Sequence, residues 1–239
     1  APHDLYITAQ AGTSFGEVQS FLEPKGWQLA LHSPWSDASL GGLLASNLNS
    51  PLRIRYGALR DQVLAMTIVL ADGRMIRAGR PVVKNVAGYD VSRLLIGSHG
   101  TLGLIIDATF KIVPMPRMHR SLLIPASDLK QGLEWAQACL SLALVCNGII
   151  FGKTQSPLTV DADPYVLVYS AEGLPEDVNS EIEQVRARLS DMGAPVPIEL
   201  ESQAALDVWD HLMSATSEDR LSLRVGLPPK ELRNFLINW

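Results

Sequence analysis

The chain has 239 residues, 47% of them hydrophobic and 19% charged, with a net charge of −5. That size supports one large or two modest cores and excludes a disordered chain, while the acidic balance excludes a general nucleic-acid surface, since Arg53, Arg55 and Arg60 are too few and too spread to make one. No apolar run approaches the roughly 18 residues of a membrane helix, and two cysteines, Cys139 and Cys146, are too few for a disulfide framework or a zinc site, so they read as buried small apolar residues in a reducing cytoplasm.

The N-terminus, Ala1-Pro2-His3-Asp4, has no basic or apolar leader pattern and no Met, which reads as a processed or partial form. Residues 4–10 alternate like a strand. Thr13 opens a predicted helix, TSFGEVQSFLEPKG: Thr13 or Ser14 caps it, Glu17 suits the first turn, and Phe15, Val18, Phe21 and Leu22 recur at helical spacing until Pro24 and Gly26 close it. Residues 32–57 are rich in Gly, Ser, Asn and Pro, and such a long irregular segment in a compact domain usually has a function. Residues 62–70 read as a buried strand. Asp72-Gly73 signals a hairpin into the strand RMIRAG, and a glycine-rich stretch over 84–103 precedes a strand from Leu104 to Val113.

Pro114 and Pro116 mark a boundary, which gives domains at 1–116 and 117–239. Beyond them a strand, HRSLLIPA, leads to a helix from Ser127-Asp128 to about Leu144, then to strands near 147–152 and 165–170. A second helix starts at Leu174-Pro175, with Leu174, Val178, Ile182, Val185 and Leu189 on one face and Gly193 at its end. A strand (PVPIELE), a helix near 203–215, a strand (LSLRVGL) and a helix from Lys230 follow. This alternation predicts an α+β, ferredoxin-like domain.

Three constellations could carry chemistry. Ser39-Leu40-Gly41-Gly42, followed by Ala45, Ser46 and Asn47 and preceded by Pro34, lets backbone approach a ligand closely. If a short helix starts there, the Gly41 and Gly42 amides offer donors; the other reading is a helix packed tightly through small residues. Arg55-Tyr56-Gly57 is a turn with an aromatic residue. Gly88-Tyr89 and then Gly97-Ser98-His99-Gly100-Thr101-Leu102-Gly103 place three glycines in seven residues before an apolar strand, as loops that wrap a cofactor with amides do; a wide structural turn is the alternative. The spacing is neither that of a Walker A loop nor that of a Rossmann fingerprint. The five histidines, His3, His32, His99, His119 and His211, form no HxH or HxxxH pair, so no metal site is expected. Lys84, Tyr89 and Arg93 could meet a carboxylate, though Arg93 also reads as a solvated side chain. Trp209, Asp210 and His211 read as a helix face.

The order SLGGLLASN, RYG, VVKNVAGYD, GSHGTLGLII resembles the FAD-binding fold of the vanillyl-alcohol oxidase (PCMH-type) family, and within it the second flavin-type subunit of bacterial glycolate oxidase. The likeness covers residues 4–116 well and 117–239, the place of the cap domain, more loosely. It implies α+β architecture, the second half of a PCMH-type FAD-binding domain followed by a ferredoxin-like cap. It implies FAD as cofactor, with Pro34 and Ser39 to Asn47 along the flavin ring and pyrophosphate, Tyr56-Gly57 closing that side, and Gly88 and Tyr89 in the motif that precedes the loop. Gly97, Gly100, Thr101 and Gly103 would approach the pyrophosphate and ribose, and Ile105 would reach the adenine end. Family members commonly carry Glu where this chain has His99, which reads as a partly exposed loop histidine. The family's upstream pyrophosphate loop is not found here, so the chain reads as a fragment, or as a shortened lineage with FAD binding weakened by orders of magnitude.

The implied function is a subunit of a flavin-dependent 2-hydroxy-acid oxidoreductase of glycolate type, FAD accepting hydride and passing electrons to a partner. Alternatives are a cofactor-poor assembly subunit and a stand-alone lactate-type dehydrogenase. The implied partners are a flavin catalytic subunit, an iron–sulfur subunit and a small 2-hydroxy acid. The implied place is the cytoplasm, peripheral at the inner membrane face. No catalytic residue is assigned.

Overall fold

The computed structural model describes residues 4–80, 91–153, 163–214 and 229–238. Lys84, Gly88, Tyr89 and the strand expected over 221–227 lie outside them. The chain divides into two compact units, Ala1–Met115 and Pro116–Trp239.

The first unit opens with strand β1 (Tyr6–Gln10) and helix α1 (Phe15–Leu22). Ser14 caps α1. Its hydroxyl accepts the Glu17 N–H at 3.2 Å, and the Glu17 carboxylate accepts the Ser14 N–H at 2.9 Å. This reciprocal capping box satisfies two donors that a helix start leaves over. Phe15, Val18 and Leu22 are buried, while Phe21 is exposed. The α-turns stop at Leu22, and a single 3-10 turn, Glu23–Lys25, carries the chain to Gly26 at φ 75°. Pro24 has no N–H with which to extend the α-ladder, and Gly26 ends the turn, where the sequence places the close of this helix.

Strand β2 (Trp27–Leu29) follows; three residues gave no readable alternation. The segment over 32–57 is not wholly irregular. It holds helices α2 (Leu40–Ser46) and α3 (Arg53–Tyr56), and α4 (Leu59–Gln62) leads into β3 (Val63–Val69). The Asp72-Gly73 turn joins β3 to β4 (Met75–Gly79), with Gly73 at φ 84° and the Leu70 N–H donating to the Arg74 carbonyl at 2.9 Å. Helix α5 (Ser92–Leu95) precedes the long β5 (Leu104–Pro114). The sheet runs β1-β5-β3-β4, β2 also pairing with β5, with every pairing antiparallel. Ala108, Phe110 and Ile112 of β5 meet Met66 and Ile68 of β3 in the core, together with Leu40, Leu43 and Leu44 of α2. A fully buried leucine contributes about 1.5–3 kcal/mol. Three of them hold α2, and with it the glycine pair at its start, firmly against the sheet.

The second unit runs β6 (Met118–Ala126), α6 (Leu129–Leu140), β7 (Cys146–Lys153), β8 (Tyr165–Gly173), α7 (Pro175–Asp191), β9 (Ile198–Glu201), α8 (Ser202–Ser214) and α9 (Pro229–Asn238). Its sheet is ordered β7-β8-β6-β9 and antiparallel. That βαββαβ order is ferredoxin-like, as the alternation of elements implies. Val178, Ile182, Val185 and Leu189 of α7 are fully buried. Leu174 is not on their face: it is the extended N-cap residue, at ψ 144°, and is 44% exposed. Arg120 of β6 and Arg186 of α7 both pair with Glu199 and fasten the short β9.

Helix α6 ends at Leu140, four residues before the sequence suggests: Ser141, Leu142 and Ala143 N–H donate to carbonyls three residues back, a local turn rather than further α-ladder. Leu144 and Val145 N–H both donate to Glu181 Oε2, at 2.7 and 2.8 Å. Burial pushes the Cys139 and Cys146 thiols up to about 12, and burial, with Cys146 and Glu181 as neighbours, pushes the Tyr169 phenol well above its ordinary value.

Candidate functional site

In the first unit a cavity of about 390 Å³ opens between the turn after β1, the start of α2 and the loop before β5. Ser39, Gly41 and Gly42 line it from one side, and Gly100, Gly103 and Ile105 from the other. Six of the residues singled out in the sequence, separated by about sixty positions in two groups, therefore meet around one space. Loop and helix are joined by main chain: Gly97 N–H donates to Leu44 O at 3.0 Å, and His99 N–H to Ala45 O at 2.9 Å. The bond to Ala45 O takes up a carbonyl near the end of α2, and Leu44 O accepts Gly97 N–H in addition to Asn47 N–H. Asn47 closes α2 in the left-handed region, at φ 52°, with Gly97 against it; a Cβ on Gly97 would lie 3.2 Å from Asn47 Cβ.

One expectation about this helix start is corrected. Gly41 and Gly42 do not present unused amides. Leu40 N–H donates to Thr13 O at 2.9 Å, Gly41 N–H to Ala11 O at 2.8 Å, and Gly42 N–H to Ser39 Oγ at 3.1 Å. The turn after β1 aims its carbonyls at the helix start, so the donors are taken. Gly41 serves close packing instead: a Cβ there would lie 2.8 Å from Ala11 Cβ. Leu40 is 1% exposed and its side chain belongs to the core. Thr101 is exposed, and its hydroxyl donates to Ser98 O at 2.7 Å. Pro34, Tyr56 and Gly57 are not among the residues lining the cavity; Gly57, at φ 82°, ends α3 and its carbonyl accepts from Gln62 at 3.4 Å. Gly88 and Tyr89 fall outside the described residues.

The sequence reading missed Ala11 and Gly12, which line the cavity from the end of β1. A glycine between a strand and a capping serine was the available signal. Ala45, Ser98, His99 and Leu104 also line it. Among the described residues no group of three or more His, Cys, Asp and Glu side chains could hold a metal ion.

Residues 1–79 match a family described as FAD binding domain. The match covers about a third of the chain. The chain is 37% identical over 150 residues to glycolate oxidase subunit GlcE of Escherichia coli (strain K12), covering 61% of the chain and 43% of that protein. It is 35% identical over 127 residues to D-lactate dehydrogenase of Anaerostipes hadrus, covering 53% of the chain and 27% of that protein. It is 28% identical over 194 residues to glycolate oxidase subunit GlcD of Bacillus subtilis (strain 168), covering 77% and 41%. The chain thus spans less than half the length of each of these relatives. Two crystal forms of alkyldihydroxyacetonephosphate synthase share the fold, with TM-scores of 0.72 and 0.73 at 18% identity, over 89% of the chain and 44% and 43% of theirs.

The cavity suits part of such a cofactor. Its volume is within the range of small-molecule sites. No neighbouring atom lies within 4 Å of where a Cβ on Gly12 or Gly100 would be, so these two positions leave room for a ligand against bare backbone. The Ser98 hydroxyl oxygen is buried and has no hydrogen-bond partner among the described residues, the kind of group that a bound ligand can satisfy.

Proposed function

We propose that the chain is a subunit of an FAD-linked 2-hydroxy-acid oxidoreductase of glycolate type, and that FAD lies partly in the cavity between α2 and the loop before β5. The observation that carries this reading is the meeting of Ser39-Gly42 with Gly100-Ile105 around one small-residue cavity, in a chain whose relatives are glycolate oxidase subunits and D-lactate dehydrogenases. FAD supplies hydride and electron transfer when bound. The chain's own residues bind and orient. Gly12 and Gly100 allow close backbone approach, and Ser39, whose oxygen already accepts Gly42 N–H, keeps a proton to donate. Leu104 and Ile105 give the cavity apolar lining. Asn47 and Gly97 act as frame rather than contact.

Electrons would pass to a flavin catalytic subunit and an iron–sulfur subunit, so the isolated chain is expected not to turn over hydroxy acids with an artificial acceptor. Among the described residues no helix is long and apolar enough to cross a membrane; a cytoplasmic place at the inner membrane face is part of the proposal.

The taken amides of Gly41 and Gly42 favour a second reading, an assembly subunit that keeps the fold without the cofactor. The visible spectrum of the purified chain, before and after added FAD and desalting, separates the two. Flavin bands that survive desalting support the first reading. A colourless chain that takes up no FAD overturns it.

A further inference from the structure

The described lining of the cavity is glycine, alanine, serine, leucine and isoleucine, with His99 the one ionisable side chain among them. His99 is exposed and sits in the left-handed region at φ 51°. That conformation is uncommon for a residue with a Cβ and is kept where the surroundings impose it. Here the surroundings are identifiable. The His99 N–H is held by Ala45 O, two positions after the Gly97 N–H is held by Leu44 O. The backbone that carries the imidazole is therefore fixed to α2 at the rim of the cavity.

A dinucleotide brings a diphosphate with two negative charges. In many phosphate sites a helix start meets such charge with unused amides. In this site that means is gone, because Leu40, Gly41 and Gly42 N–H all have protein acceptors. The helix start therefore brings no spare donor to such a charge, and among the side chains of the described lining only His99 can carry positive charge.

We propose that His99 is a cofactor-binding residue whose imidazole N–H donates to the diphosphate of the dinucleotide. The inference rests on the FAD reading above and assigns a charge-specific contact to the one ionisable residue of the glycine motif. A charge-assisted hydrogen bond of this kind corresponds to roughly tenfold or more in affinity.

The test is titration of the purified chain with FAD, ADP and adenosine. His99→Gln is expected to weaken FAD and ADP by about tenfold or more and to leave adenosine unchanged. His99→Lys is expected to restore much of the loss. His99→Gly relieves the positive φ and keeps the fold, yet is expected to bind FAD and ADP as weakly as His99→Gln. Added salt is expected to weaken ADP binding to the wild type more than to His99→Gln. The inference is overturned if His99→Gln and His99→Gly bind FAD and ADP like the wild type, or if they lose adenosine to the same extent, which would mark a structural role. Wild-type uptake of FAD with indifference to His99 sinks this inference alone; a wild type that takes up no FAD sinks the functional reading as well.

Discussion

Gly41 N–H donates to Ala11 O at 2.8 Å, and the two residues approach so closely that a Cβ on Gly41 would stand 2.8 Å from Ala11 Cβ and 3.1 Å from Ala11 O. The glycine that looks from sequence like a ligand contact is first of all the point where α2 meets the end of β1. Gly12, one residue further along, has open space where a Cβ would go.

These neighbours predict opposite outcomes. Gly41→Ala must displace α2 or the turn, with a loss of about 1–3 kcal/mol in urea denaturation. Gly12→Ala is expected within about 0.5 kcal/mol of the wild type in the same measurement, and to weaken FAD uptake by occupying the cavity. A normal urea midpoint for Gly41→Ala would show that the helix start yields more than this packing allows.

The buried Glu181 carboxylate accepts three hydrogen bonds: Leu144 N–H, Val145 N–H and, at 2.7 Å, the Tyr169 hydroxyl. Glu181→Ala leaves all three donors without their acceptor and is expected to cost about 3–5 kcal/mol. Tyr169→Phe removes one bond, and about 1–2 kcal/mol is expected. Chemical denaturation of the two variants side by side gives the ranking; equal losses would contradict it.

The thiols supply a pH prediction. Cys139 and Cys146 are buried and free, and their values are raised from 9.0 to about 12. A raised folded value means stability that is fully present below about 9 and is lost as pH climbs towards 12. Urea midpoints are expected to fall between pH 8 and 10.5, with a flatter profile in a Cys139→Ala, Cys146→Ala double variant. Neither thiol should react with Ellman's reagent at pH 8 until the chain is unfolded, since the thiolate is the reactive form.

At the other end of the scale, hydrogen bonds from the Ser14 amide and hydroxyl hold the exposed Glu17 carboxyl below its ordinary 4.5. A lowered folded value gives stability that is present above 4.5 and disappears as pH falls. Ser14→Ala is expected to cost about 1 kcal/mol at neutral pH, and the gap to the wild type should narrow in acid. A gap that does not change with pH would mean that the Glu17 half of the capping box contributes nothing.

Much of this was legible in the sequence because the signal was local. Val178, Ile182, Val185 and Leu189 declare one helix face by spacing alone, and Asp72-Gly73 declares its hairpin by turn chemistry. The cavity's two walls were legible as glycine motifs. The Gly41 amide was misread because its acceptor lies elsewhere in the chain. Ala11 takes the Gly41 amide from thirty residues upstream, as Glu181 holds the Leu144 amide from 37 residues away. Hydrogen bonds of that range leave no periodicity to read.

The two main-chain bonds between the loop and α2, Gly97 to Leu44 and His99 to Ala45, use no side-chain atom. The walls of the cavity therefore stay attached whatever residues stand at Ala45 and Ser98. A substitution at either position would reshape the chamber while leaving that main-chain frame in place.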